Sequence, residues 1–223
     1  MSDQHIVSIL GCGWLGNALA DALRHHHTVR CLGRDQTSDA KQGYYRCDTL
    51  VIGIPPREGH LQSIQTAIEQ IEPDVQLIFL GSTSYYDNKN TVVKAETLVR
   101  TLWPKTAILR LGGLMGYDRI AGRYTAGQTL PHDTISRYIH RDDVVGIVAA
   151  MIEQNVRSVT WNALAPIQHP KSRIFEENAK RFGFEPTRFE NTNLYKRTTI
   201  NVDALIKALG YRFVYPDANA WYV

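Results

Sequence analysis

Residues 6–16 read Ile6-Val7-Ser8-Ile9-Leu10-Gly11-Cys12-Gly13-Trp14-Leu15-Gly16, a short apolar strand running straight into G-x-G-x-x-G. Strand, glycine turn and helix start, in that order, build a cradle for a pyrophosphate. Gly11 permits the tight turn, Gly13 lets the backbone approach phosphates, and Gly16 lets the helix pack on the strand. Leu15, Leu19, Ala22 and Leu23 follow at helical spacing, which meets the context test for the motif. The helix dipole and its unpaired N–H groups then favour an anion. A glycine-rich turn in some other α/β protein is the weaker reading.

The rest of the chain keeps the same rhythm. Strands are expected at residues 28–32, 50–54, 75–80, 107–111 and 159–164, with Pro55-Pro56 closing the second of these. Amphipathic helices lie between them. They are marked by Leu61, Ile64, Ile68 and Ile71, then Val92, Ala95, Val99 and Leu102, then Val144, Ile147, Val148 and Met151. An Asp is available as N-cap where the last begins, at Asp142. Such alternation implies a Rossmann-type α/β fold, a doubly wound parallel sheet covered on both faces. The tail differs: Pro170 introduces a helix ending at Gly183, and Asn201 can cap another ending at Gly210. The expected division is a nucleotide-binding domain of residues 1–115 plus 140–165, with a small C-terminal lid or substrate subdomain of residues 116–139 plus 166–223.

Composition narrows the partners. A net charge of +3 without a dense basic run argues against nucleic acid and anionic membranes. The longest apolar run, near residues 144–152, is too short to span a bilayer, and no charged-then-apolar leader follows Met1. A cytoplasmic location is expected. Cys12, Cys31 and Cys47 lack metal-ligand spacing and read as reduced packing residues, while His25-His26-His27 reads as a solvated turn; no metal is expected.

Several segments together resemble one family. They are the glycine turn, Leu80-Gly81-Ser82-Thr83-Ser84-Tyr85-Tyr86, Leu109-Arg110-Leu111-Gly112-Gly113-Leu114-Met115-Gly116, and Ile139-His140-Arg141-Asp142-Asp143-Val144. Lys196-Arg197, residues 205–211 and Tyr215-Pro216 complete the series. In this order they resemble the extended short-chain dehydrogenase/reductase superfamily, on its NAD-dependent epimerase/dehydratase side, as an atypical member. The resemblance implies a nicotinamide dinucleotide held at Gly11, Gly13, Trp14, Leu15, Gly16, Gly33, Arg34, Asp35, Ile54, Pro55, Pro56, Gly113 and Leu114. Trp14 has three readings: beneath the cofactor, against the lid, or in the core.

The second strand of this family ends in an acid for the ribose 2′-hydroxyl, whereas NADP binders place an Arg nearby. Here Gly33 falls at the acid's position and Arg34 follows, so NADP(H) is favoured; Asp35 keeps NAD open through a one-residue shift. Residues 43–48 alone remain for a third strand and its loop, and Asp48 either faces the adenine or serves a turn.

The family's chemistry uses a Tyr as general acid/base, because a phenol of pKa about 10 can work near neutrality beside a Lys. Ser82 and Thr83 match its Ser/Thr, and Lys94 its Lys, but Asn90 stands four positions before Lys94 where the Tyr belongs. Tyr85 or Tyr86 from the strand end, or Tyr117, Asp118 or Tyr124 from the lid loop, could replace it; Tyr117 is taken as the catalytic candidate. His140 is expected to position the loop ahead of its helix. The lid also carries Arg119, Arg123, His132 and Arg137, a polar mixture suited to anionic or hydroxylated compounds. Two functions compete. One is an NADP(H)-dependent oxidoreductase or epimerase on a small polar, sugar-like substrate, as monomer or homodimer. The other is a catalytically degenerate cofactor-binding redox sensor or partner-binding module.

Overall fold

The computed structural model describes residues 4–33, 43–195 and 198–221. Consecutive strand residues point to opposite faces, so a strand covered on both sides must be apolar nearly throughout. The sheet has six strands, β1 (Ile6–Leu10), β2 (Thr28–Leu32), β3 (Thr49–Ile52), β4 (Gln76–Ser82), β5 (Ala107–Leu111) and β9 (Thr160–Ala163); the four inner ones largely satisfy this, while β2 and β9 at the edges are half-buried and more polar. They pair in the order β2-β1-β3-β4-β5-β9, every pair parallel. Val7, Ile9, Val51, Ile78 and Leu109 face one layer, under α1 (Trp14–Leu23), α4 (Arg141–Glu153) and α6 (Asp203–Leu209). Leu50, Ile52, Leu77, Phe79 and Ile108 face the other, under α2 (His60–Glu69) and α3 (Asn90–Leu102). This is the doubly wound parallel α/β fold expected from the sequence.

The chain leaves β1 toward β2 on one side, while β3 lies on the other. That reversal opens a crevice beyond the carboxyl ends of β1 and β3, where ligands of such sheets bind. A third apolar cluster, built on Ala121, Ala165, Ile174, Phe175, Ala218 and Trp221, includes α5 (Lys171–Phe182). Two small parallel ribbons accompany it: β6 (Gly113–Met115) with β8 (Tyr138–His140), and β7 (Thr129–His132) with β10 (Arg188–Asn191). The β7–β10 ribbon had no counterpart in the sequence reading, since its residues are short and mostly polar.

Several local expectations are corrected. Residues 43–48 form turns, not a strand, and Asp48 accepts a hydrogen bond from the Ile6 amide at 2.7 Å, at the amino end of β1. It is therefore a turn residue, remote from the carboxyl edge where an adenine would lie. Leu61 lies off the buried face of α2, 38% exposed, because Ile64, Ala67 and Ile68 form that face. The cap of α4 is His140 rather than Asp142: its Nδ1 accepts from the Asp142 amide at 3.2 Å. Cys12 and Cys31, expected as separate thiols, form a disulfide, their Cα atoms 5.6 Å apart; Cys47 alone is free. The strand pairing of Ile9 with Cys31 brings the glycine turn against β2, which separation along the chain conceals. No helix of the described residues is long and apolar enough to cross a membrane.

Candidate functional site

The glycine turn spans the crevice between β1 and β3. Gly11 adopts φ +119°, and a Cβ there would sit 2.5 Å from the Gly53 carbonyl oxygen of the loop after β3. The Gly11 and Cys12 amides donate to the Leu32 carbonyl at 3.0 and 3.3 Å, tying the turn to β2. A Cβ on Gly16 would be driven into the Gly11 carbonyl, so the helix seats on the turn only without one. Gly13 is different: a Cβ there would meet nothing within 4 Å. It is the N-cap of α1, with no side-chain cap and no acidic residue in the first turn. The start of α1 therefore lacks a side-chain cap beside an open backbone position, the arrangement that accepts a phosphate.

Around this turn the other cofactor candidates separate by role. Leu15 packs into the core under α1, and Ile54 packs into the opposite core. Gly33 lies beside the turn, where an added Cβ would be 3.8 Å from that of Cys12. Arg34 and Asp35 lie outside the described residues, as do Lys196 and Arg197. Pro56 joins Asn90 and Lys94 in a cleft of about 320 Å³, also lined by His60 and Thr91. His60 was not foreseen there; its burial holds its pKa below the usual imidazole range. Gly113 and Leu114 belong to the β6 ribbon, with Gly113 exposed.

Ser82 ends β4, and its Oγ accepts from the Ser84 amide at 3.1 Å, capping a short 3-10 helix, Thr83–Asp87. The hydroxyl keeps its own proton for another acceptor. Thr83 is buried. Tyr86 donates to Asn162 Oδ1 at 3.0 Å, and Arg110 stacks on Tyr85 and Tyr86, 3.7 and 4.9 Å from their centroids. Both rings are thus packed on the Arg110 guanidinium. Asn90 opens α3, and Lys94 is exposed one turn later.

The loop carrying Tyr117 and Asp118 meets the glycine turn. Trp14 Nε1 donates to Asp118 Oδ1 at 2.7 Å, which ties the tryptophan to that loop. Tyr117 takes a left-handed backbone, φ +56°, and donates its hydroxyl to Asp142 Oδ2. That hydrogen bond raises the phenol's pKa, so Tyr117 gives up its proton less readily than a free tyrosine. His140 is buried between Gly116 and Tyr215, whose ring stacks on it at 3.7 Å, and burial lowers its pKa. Asp143 is buried too; its pKa is raised by desolvation, although the Val214 and Tyr215 amides donate to it at 2.8 and 3.0 Å. Part of the polar lid is structural: Arg137 bridges Asp87 at 3.2 Å and the Thr198 carbonyl at 2.7 Å.

These features can be set beside known proteins. No protein-family profile matches the sequence. Protein YeeZ of Escherichia coli K12 is 27% identical, the alignment covering 95% of this chain and 96% of that one. A functionally unknown conserved protein from Silicibacter pomeroyi superposes with TM-score 0.74 at 16% identity, covering 97% of this chain and 96% of that one. Human epimerase family protein SDR39U1, solved with NADPH, superposes with TM-score 0.71 at 16% identity over 97% of each chain. This chain shares its fold with these solved structures. In that fold Ser82 ends β4, Asn90 opens α3 and Lys94 follows one turn later.

Proposed function

We propose that this chain binds NADP(H) across the carboxyl edge of the sheet and acts on a small polar, sugar-like substrate as an oxidoreductase or epimerase. The observation that carries this reading is Gly13: an open backbone position beside the uncapped start of α1, at the reversal of strand order. A dinucleotide's pyrophosphate fits that position, and a bound nicotinamide would supply hydride transfer. The chain's own groups would do the rest. The turn amides hold the diphosphate, Arg34 takes the 2′-phosphate beside Gly33, and the Ser82 hydroxyl orients a substrate oxygen.

A second reading, cofactor binding without turnover, has its own support. Asn90 cannot give and recover a proton, and the Tyr117 hydroxyl is committed to Asp142. Calorimetric titration of NADPH and NADH into the wild type and Arg34→Ala tests the cofactor assignment. Tight NADPH binding that falls toward the NADH value in Arg34→Ala is the expected result; no heat with either cofactor overturns both readings. NADPH consumption across a panel of carbonyl compounds, lost in Ser82→Ala, then separates the enzyme from the binding module.

A further inference from the structure

The starts of α2 and α3 border the cleft of about 320 Å³ that His60, Asn90 and Lys94 line. Neither helix has a side-chain cap or an acidic residue in its first turn, so the positive end of each dipole is left uncompensated. Gly59, the N-cap of α2, lines the cleft as well, and a Cβ there would meet nothing within 4 Å. Two cations, Arg57 and Lys94, join them, and no carboxylate is among the lining residues. Neither cation has an ion-pair or hydrogen-bond partner for its side chain among the described residues. His60 is the first residue of α2, and its Nδ1 is buried without a hydrogen-bond partner among those residues. A buried polar atom left alone costs stability, so its retention calls for a ligand to satisfy it.

Burial, only partly offset by the Pro55 carbonyl, lowers the pKa of the His60 ring, so the imidazole is neutral in the empty cleft and has one N–H to give. Arg57 offers a planar fork of donors and Lys94 a compact charge. Together with two helix starts, these are more donors than the two oxygens of a carboxylate can use. A phosphate, with a third oxygen and a second charge, matches them. We propose that this cleft binds a phosphate group, held by Arg57, His60 and Lys94. That the phosphate belongs to the substrate rests on the enzyme reading above, and it narrows the substrate from small polar compounds to phosphate monoesters. The affinity of the cleft for phosphate does not rest on that reading. The pyrophosphate is assigned to the start of α1, whereas this cleft draws on α2 and α3, so the two phosphates have separate seats.

The experiment titrates inorganic phosphate, at ionic strength held constant with sodium chloride, into wild type, Arg57→Gln, Lys94→Gln, His60→Leu and Gly13→Ala. Backbone amide NMR signals of His60, Asn90 and Thr91 report binding, and thermal unfolding checks folding. Wild type should shift these signals saturably, with acetate about fivefold weaker or more. Each Gln variant should lose about fivefold or more in phosphate affinity, the weight of a charge-assisted contact at a partly open site. His60→Leu should lose affinity too, yet melt no lower than wild type, because it removes an unpaired buried nitrogen. Gly13→Ala, and wild type saturated with NADPH, should take phosphate in the cleft as the free wild type does. No saturable shift in wild type, or folded Gln variants that bind equally well, overturns the site. Acetate that binds as tightly overturns its assignment to phosphate, and displacement of phosphate by NADPH gives the cleft to the cofactor and overturns it as well. Wild type that takes phosphate in the cleft but binds no NADPH upholds the site and overturns the dinucleotide reading instead.

Discussion

Arg110 donates two hydrogen bonds to Glu96, at 2.6 and 3.0 Å, with the Glu96 side chain 1% and the Arg110 side chain 9% exposed. Strand β5 and helix α3 are thereby joined by a bidentate ion pair, and the free face of Arg110 carries Tyr85. Arg100 also reaches Glu96 at 2.8 Å, so removing the carboxylate strips the buried Arg110 of its ion-pair partner. Glu96→Ala should cost about 3–5 kcal/mol in urea unfolding, and the double variant Glu96→Ala/Arg110→Met distinctly less than the sum of the single changes. A Glu96→Ala loss under about 1 kcal/mol would contradict the pairing.

The glycine turn should separate folding from binding. Gly16→Ala forces a Cβ onto the Gly11 carbonyl, so it should destabilise by about 1–3 kcal/mol whether or not ligand is present. Gly13→Ala meets no protein atom and should cost only about 1 kcal/mol or less, through poorer capping. Yet its methyl occupies the space assigned to phosphate, so NADPH affinity should fall about tenfold or more. Paired melting curves and titrations check both. Equal binding by Gly13→Ala and wild type would place the diphosphate elsewhere.

Acid should unfold this protein early, for a reason that the histidines supply. Burial lowers the pKa values of His27, His60 and His140 in the folded chain, below the unfolded value of about 6.5. Under that pH the unfolded chain takes up protons that the native one refuses, so stability is lost as pH falls from about 6.5 toward the folded values. Each such histidine adds up to about 1.4 kcal/mol per pH unit of slope. His140→Asn keeps an acceptor for the Asp142 amide, and it should flatten the slope while lowering stability at neutral pH through lost stacking on Tyr215. An unchanged slope in chemical denaturation between pH 5 and about 7 would remove His140 from this account.

What the sequence disclosed follows what is local. Gly11, Gly13 and Gly16 declare a backbone shape within six residues, and alternating apolar runs declare a sheet buried on both faces. The site's remaining parts depend on partners far along the chain. Trp14 and Asp118 are 104 residues apart, and no periodicity links an indole N–H to that carboxylate. The cap of α4 was misread for a different reason. Asp142 is the better capping type, but the chain turns two residues earlier, which leaves His140 as the side chain able to reach the free amide. Glu96 lies on the same α3 face as Val92 and Val99, and Arg110 on β5 together with Arg100 one turn later on α3 makes a buried carboxylate tolerable there.

Cys12 lies between the two glycines that shape the turn, and its bond to Cys31 fastens that turn to β2 across a separation of 19 residues. The chain holds three cysteines, so protein denatured without reductant should present one titratable thiol, Cys47, and three after reduction. Burial pushes the Cys47 thiol up to about 11, so it should react with thiol reagents only slowly while the protein is folded. Closing a loop of this length constrains the unfolded chain, and reduction or Cys31→Ala should cost up to about 3 kcal/mol. The amides of Gly11 and Cys12 would still bond to the Leu32 carbonyl, so the turn should survive reduction in the folded state. Three reactive thiols in the unreduced, denatured chain would show that the pair is held as thiols, and the turn then rests on those two hydrogen bonds alone.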